Sequence, residues 1–189
     1  MTSPWYTMPH GVLTEEKHHM LVASREAIAK DAGIPQELLW RPLPAITAGE
    51  RTWIAKFKQH RSAGFCGLLL TGEKPSPDPL SRIGAIAGCL SRNFVRARVF
   101  SLLEVLAATN DNNPVEATCL LIPDFIPDKK TASATPSWKV QQITALLTER
   151  WSASNMQTVL YAPSMADIQS EYGSYVGSLI QNHYQPVAI

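Results

Sequence analysis

The apolar positions of this 189-residue chain form two kinds of run. The first kind is short and continuous: Phe65-Cys66-Gly67-Leu68-Leu69-Leu70, Ala117-Thr118-Cys119-Leu120-Leu121-Ile122, Thr158-Val159-Leu160-Tyr161, and a fourth at residues 97–100. Apolar runs of this length without polar alternation predict strands covered on both faces, as in a parallel sheet. In the second kind, apolar residues recur every three to four positions, which predicts helices. One covers 14–31, with Met20, Ala23 and Ala27 inward, and is closed by Gly33 and Pro35. Another covers about 47–60, with Trp53, Ile54 and Phe57 on one face, Thr47 and Glu50 as a capping box, and Gly64 as its end.

Three more helices pass through Leu80, Ile83, Ala87 and Leu90, through Leu102, Leu103 and Leu106, and through Val140, Ile143, Leu147 and Trp151. The first of these has the best-specified start. Asp78 suits the N-cap, where its carboxylate accepts free N–H groups, and Pro79 suits the first helical position, where no N–H is needed. Ser137 is expected to cap the third. A last helix is capped by Ser164 and Asp167 and interrupted at Gly173. Residues 1–13 carry prolines and aromatics without a period and are expected to be an arm.

Strands alternating with helices predict an α/β fold: a parallel sheet with helices on both faces and its ligand crevice at the carboxyl ends of the strands. The expected organisation is an N-terminal arm and helix over 1–31 and a domain over 32–189, with no separate lid domain. Composition refines this picture little. With 45% hydrophobic residues the chain reads as globular, and a net charge of +1 gives no electrostatic case for nucleic acid or membrane as the main partner. Cys66, Cys89 and Cys119 are odd in number and sit in apolar runs, which predicts buried thiols in a reducing, cytoplasmic setting. No apolar run approaches the roughly 18–20 residues of a membrane span, and the first residues lack a secretory pattern.

The order of short motifs then carries a resemblance. Ala32-Gly33-Ile34-Pro35, Gly67-Leu68-Leu69-Leu70-Thr71-Gly72, Ala85-Ile86-Ala87, Leu120-Leu121-Ile122-Pro123-Asp124-Phe125 and Leu146-Leu147-Thr148-Glu149-Arg150-Trp151 follow one another. In that order they resemble the ATPase domain of bacterial helicase loaders and transposition helpers, the DnaC and IstB group of AAA+ proteins. Thr158-Val159-Leu160-Tyr161-Ala162-Pro163-Ser164 falls where that group carries its sensor strand, and Glu171-Tyr172-Gly173 precedes the place of its arginine-finger helix. The resemblance implies a P-loop fold and, in the family, nucleotide and magnesium.

Departures from the family pattern argue against that chemistry here. A phosphate-binding loop needs glycine N–H groups that converge on the phosphates, then Lys and Ser/Thr at the helix start. The loop after Gly72 instead holds Pro75, Pro77 and Pro79, with Lys74 several residues early and Asp78 where a phosphate would lie. Pro123 replaces the first acid of the Walker B pair and leaves Asp124. Pro163 takes the sensor Asn position, and 174–179 contains no arginine. The expectation is a pseudo-ATPase with no cofactor, in which Gly72, Lys74, Asp78 and Asp124 are remnants.

Other candidates have plainer readings beside them. His10, His18 and His19 suggest a metal, but a solvated helix face explains them better. Asp124, Asp128 and Glu116 suggest paired carboxylates, although turn chemistry around Pro127 accounts for two of them. Arg92, Arg96 and Arg98 are the candidate nucleic-acid contacts, weighed against surface ion pairs. Trp5 and Tyr6 in the arm are the candidate contacts with a protein partner, expected to be an active ATPase relative or a DNA-processing protein. The stretch before residue 32 is too short for a large docking domain of the kind the loaders carry. Two functions remain: a non-catalytic interaction or regulatory subunit, or a working loader-like protein with altered nucleotide binding and single-stranded DNA contact.

Overall fold

A parallel five-stranded sheet organises the chain, in the order β2-β3-β4-β1-β5. The structure, a computed structural model, describes residues 14–40, 46–73, 77–111, 113–127 and 135–189. The strands are β1 (Gly67–Thr71), β2 (Ala97–Val99), β3 (Cys119–Ile122), β4 (Gln157–Ala162) and β5 (Tyr184–Ala188). The helices are α1 (Glu15–Ala23), α2 (Arg25–Ala32), α3 (Ala48–Ala55), α4 (Pro79–Arg92), α5 (Leu102–Asn110), α6 (Ser137–Ser152) and α7 (Met165–His183). Because each strand pairs in parallel, each crossover carries a helix, and helices cover both sheet faces.

The continuous apolar strands divide their side chains between two cores. On one face Leu69, Leu120, Ile122, Leu160 and Ala162 meet α5, α6 and α7 through Val105, Ile143, Leu147, Ile168 and Ile180. On the other face Leu68, Leu70, Leu121 and Val159 meet α2, α3 and α4 through Ala29, Trp53, Ile83, Ile86 and Leu90. Leu68, Leu70, Leu120 and Leu121 are fully buried, and each such side chain stabilises the fold by about 1.5–3 kcal/mol through lost water contact.

Local signals explain most element ends. Thr47 and Glu50 form the expected capping box on α3, and Asp78 caps α4 ahead of Pro79. Ser164 caps α7, where Gly173 has φ 86 and breaks the helical path. A second capping box, Ser101 with Glu104, starts α5. Several expectations differ, and the helix expected over about 47–60 ends at Ala55, with Lys56 leaving the helical region at φ −101 and ψ 17. The helix over 14–31 is two helices, because Ser24 leaves the helical region at φ −101 and ψ 9. Ser137 is the first helical residue of α6 and not its cap. Pro136 stands outside the helix, and its carbonyl accepts the Lys139 and Val140 N–H groups. The strand β5 was not expected.

In β5, His183 and Ile189 flank the strand and bond to β1: Cys66 N–H donates to the His183 carbonyl, and Ile189 N–H to that of Thr71. Alternation along the strand then turns Pro186 outward, at the sheet edge, where its missing N–H costs no ladder bond.

Candidate functional site

Beyond the carboxyl ends of β2 and β3, at the start of α4, lies a crevice of about 590 Å³. Its walls come from the end of α2 (Lys30, Asp31), the start of α4 (Asp78, Pro79, Leu80), the turn into α5 (Phe100, Ser101, Glu104) and the end of β3 (Pro123, Asp124). Four carboxylates thus face one ammonium group among the lining residues.

Each carboxylate already has a partner. Asp78 accepts the Ser81 N–H at 3.0 Å on one oxygen and the Ser81 hydroxyl at 2.6 Å on the other. These bonds, the hydroxyl first, hold the Asp78 carboxyl below the usual carboxylate range. Glu104 accepts the Ser101 hydroxyl and N–H, each at 2.8 Å, and is lowered for the same reason. Asp124 accepts the Leu102 N–H at 2.9 Å, which adds a second side-chain acceptor to the start of α5. Asp31 meets Arg96 at 3.4 Å and Arg98 at 3.6 Å.

Of the residues singled out from the sequence, Asp78 and Asp124 come together in this crevice. Gly72 lies at the end of β1, with its N–H donated to the Pro163 carbonyl at 3.1 Å and its own carbonyl accepting the Tyr161 hydroxyl at 2.6 Å. A Cβ at this position would stand 2.3 Å from the Ile189 carbonyl oxygen, so close chain approach accounts for the glycine. Arg92 closes the last turn of α4. Arg96 lies just before β2 and Arg98 on it, and Arg96 also reaches Glu116 at 3.1 Å. Lys74, Trp5, Tyr6, His10 and Asp128 lie outside the described residues. Among the described residues no group of three His, Cys, Asp or Glu could hold a metal ion, and no helix is long and apolar enough to cross a membrane.

Sequence reasoning missed Arg82, one turn into α4. Its guanidinium is 3% exposed and donates at 2.6 Å to the Glu50 carboxylate, which is fully buried. That carboxylate also accepts the Thr47 N–H, so a single acid joins the α3 cap to α4. A capping-box glutamate would ordinarily be solvated, and the sequence carries no signal of its burial.

Magnesium and a nucleoside triphosphate, which the sequence resemblance implies, call for free N–H groups and a cation at the helix start and for acidic metal ligands at the β3 end. Among the described residues, Asp78 takes the first-turn donor, Pro79 offers none, Arg82 is turned to Glu50, and Asp124 is held by Leu102. Among the described residues, these donors and the acid are engaged within the protein.

Strand order, parallel pairing and a crevice at the strand ends define an α/β architecture with helices on both faces of a parallel sheet. Two solved structures share it. The crystal structure of the DnaC helicase loader superposes with a TM-score of 0.55 at 14% identity, covering 79% of this chain and 93% of that one. The crystal structure of DnaI does so with a TM-score of 0.58 at 14% identity, covering 82% and 91%. No family model matches the chain, and no curated protein matches it. At this identity the likeness is one of fold.

Proposed function

We propose that this chain is a non-catalytic ATPase-fold protein that acts by contact with a protein partner, as a scaffold or regulatory subunit in a DNA replication or transposition assembly. One observation carries the reading. The start of α4, where this architecture places a phosphate, is occupied by the protein's own Asp78 carboxylate. That anion satisfies the helix end and repels another anion at the same place. The assembly is suggested by the shared fold with a protein named as a helicase loader.

A working loader with altered nucleotide binding is the second reading, and the crevice volume of about 590 Å³ favours it, since small-molecule sites are of this size. Thermal unfolding with and without magnesium-ATP separates the two, because a ligand of the folded state raises the melting temperature. The first reading expects no shift at millimolar nucleotide and no phosphate release above background. A magnesium-dependent rise would replace it with the second.

A further inference from the structure

At the opposite end of the sheet from the crevice, the amino ends of β1 and β4 carry a surface of different chemistry. Trp151, in the last turn of α6, stacks on His183, at the end of α7, with ring centroids 4.4 Å apart and planes 25° apart. Trp151 nevertheless stays 42% exposed, so part of the indole is covered by His183 and part is open to water. Arg61 joins the segment after α3 to this pair by donating to the Trp151 carbonyl at 2.8 Å and to the Ala153 carbonyl. Gln157, at the start of β4, donates its side-chain N–H to the Phe57 carbonyl at 2.5 Å, which fixes the same segment from its other side. Lys56 and Lys58 flank Phe57; Phe57 is buried and both lysines are exposed.

The sequence of the segments at this end is one-sided in charge. Segments 56–65, 150–157 and 180–186 contain no aspartate or glutamate, and Glu149 is the nearest acid in sequence. An exposed, pre-stacked tryptophan beside cations is the composition of an interface centre with a charged rim, where tryptophan and arginine dominate binding. A path for nucleic acid would need successive stacking platforms and a longer basic track, whereas here one aromatic stack stands beside three cations.

Building on the reading that the chain works by contact, we infer that the surface of Trp151, His183, Arg61, Lys56 and Lys58 docks an acidic segment of a partner protein. The segment places an apolar side chain on the open part of Trp151 and its carboxylates against the lysines.

The test uses the full chain and a fluorescein-labelled peptide of about 15 residues, glutamate with leucine at every third position, a length that spans one surface of this kind. Polarisation titrations are compared for the wild type, the Lys56→Glu/Lys58→Glu double variant and Trp151→Ala. All substituted side chains are exposed, and unfolding curves confirm that the variants remain folded. The expected result is binding that weakens as salt rises and falls about tenfold or more in each variant. A peptide with lysine in place of glutamate is expected not to bind. Binding that is absent, unchanged in the variants, equal for the lysine peptide, or tighter for an oligothymidylate of matched length overturns the inference. Nucleotide binding in the crevice would change the reading of the protein as non-catalytic and leave this measurement unaffected.

Discussion

The Asp124 carboxylate accepts the backbone N–H of Leu102 at 2.9 Å across 22 positions of sequence. The acid at the end of β3 therefore serves the first turn of α5 beside the Ser101 cap. Asp124→Ala is expected to cost about 0.5–2 kcal/mol in urea unfolding, the range for a lost helix cap. Asp124→Asn, whose amide oxygen still accepts the bond, is expected to cost less.

Asp78→Ala is likewise expected to cost about 0.5–2 kcal/mol, with a defined pH dependence. Hydrogen bonds from Ser81 lower the folded-state pKa of Asp78. Its ionic contribution is thus complete above the unfolded value of about 3.9 and is lost as pH falls through the lower folded value. Unfolding curves for wild type and variant are expected to differ at neutral pH and to draw together as pH falls below the unfolded value of about 3.9 and through the lower folded value. A gap that widens in acid would contradict the capping role.

Gly84 and Gly88 sit one turn apart on α4 and meet the same residue in different ways. A Cβ on Gly88 would stand 2.2 Å from the Leu38 carbonyl oxygen, whereas one on Gly84 would meet the Leu38 Cδ1 atom at 2.8 Å. Backbone cannot yield as a side-chain tip can. Gly88→Ala is expected to destabilise by about 1–3 kcal/mol, the range for overpacking, and Gly84→Ala by less. Chemical denaturation of the two variants checks the order.

Native-state alkylation is expected to modify Cys89 alone. Cys66 is raised by burial, and the fully buried Cys119 thiol is pushed up to about 12, so both lack thiolate and access at neutral pH. Mass spectrometry after brief iodoacetamide treatment reads the sites. Early labelling of Cys119 would place β3 somewhere other than the sheet interior.

Features written in local signals were legible from the sequence, and those set by packing were not. The runs around Leu68–Leu70, Leu120–Ile122 and Val159–Leu160 announce buried strands because full burial leaves no polar alternation. The Asp78-Pro79 start of α4 was readable because both residues suit only one place in a helix. β5 was missed because Pro186 lowers the strand reading of 184–188, and only the tertiary arrangement shows it facing outward. Ser101-Leu102-Leu103-Glu104 does carry the capping-box spacing, a signal that would have found the start of α5. Within the crevice, Asp78 and Asp124 could be picked out but not their meeting with Asp31 and Glu104. The Glu50–Arg82 pair, 32 residues apart, has no sequence pattern at all.

Pro186 also limits how copies of this protein can join. An open parallel edge ordinarily invites another extended chain to lengthen the sheet through main-chain hydrogen bonds. On the outward side of β5 that ladder would reach a residue with no proton to give and a ring in the way. Sheet-to-sheet joining through this flank is thereby weakened, and association there leans on side chains, whose identity selects the partner in a way a bare backbone does not.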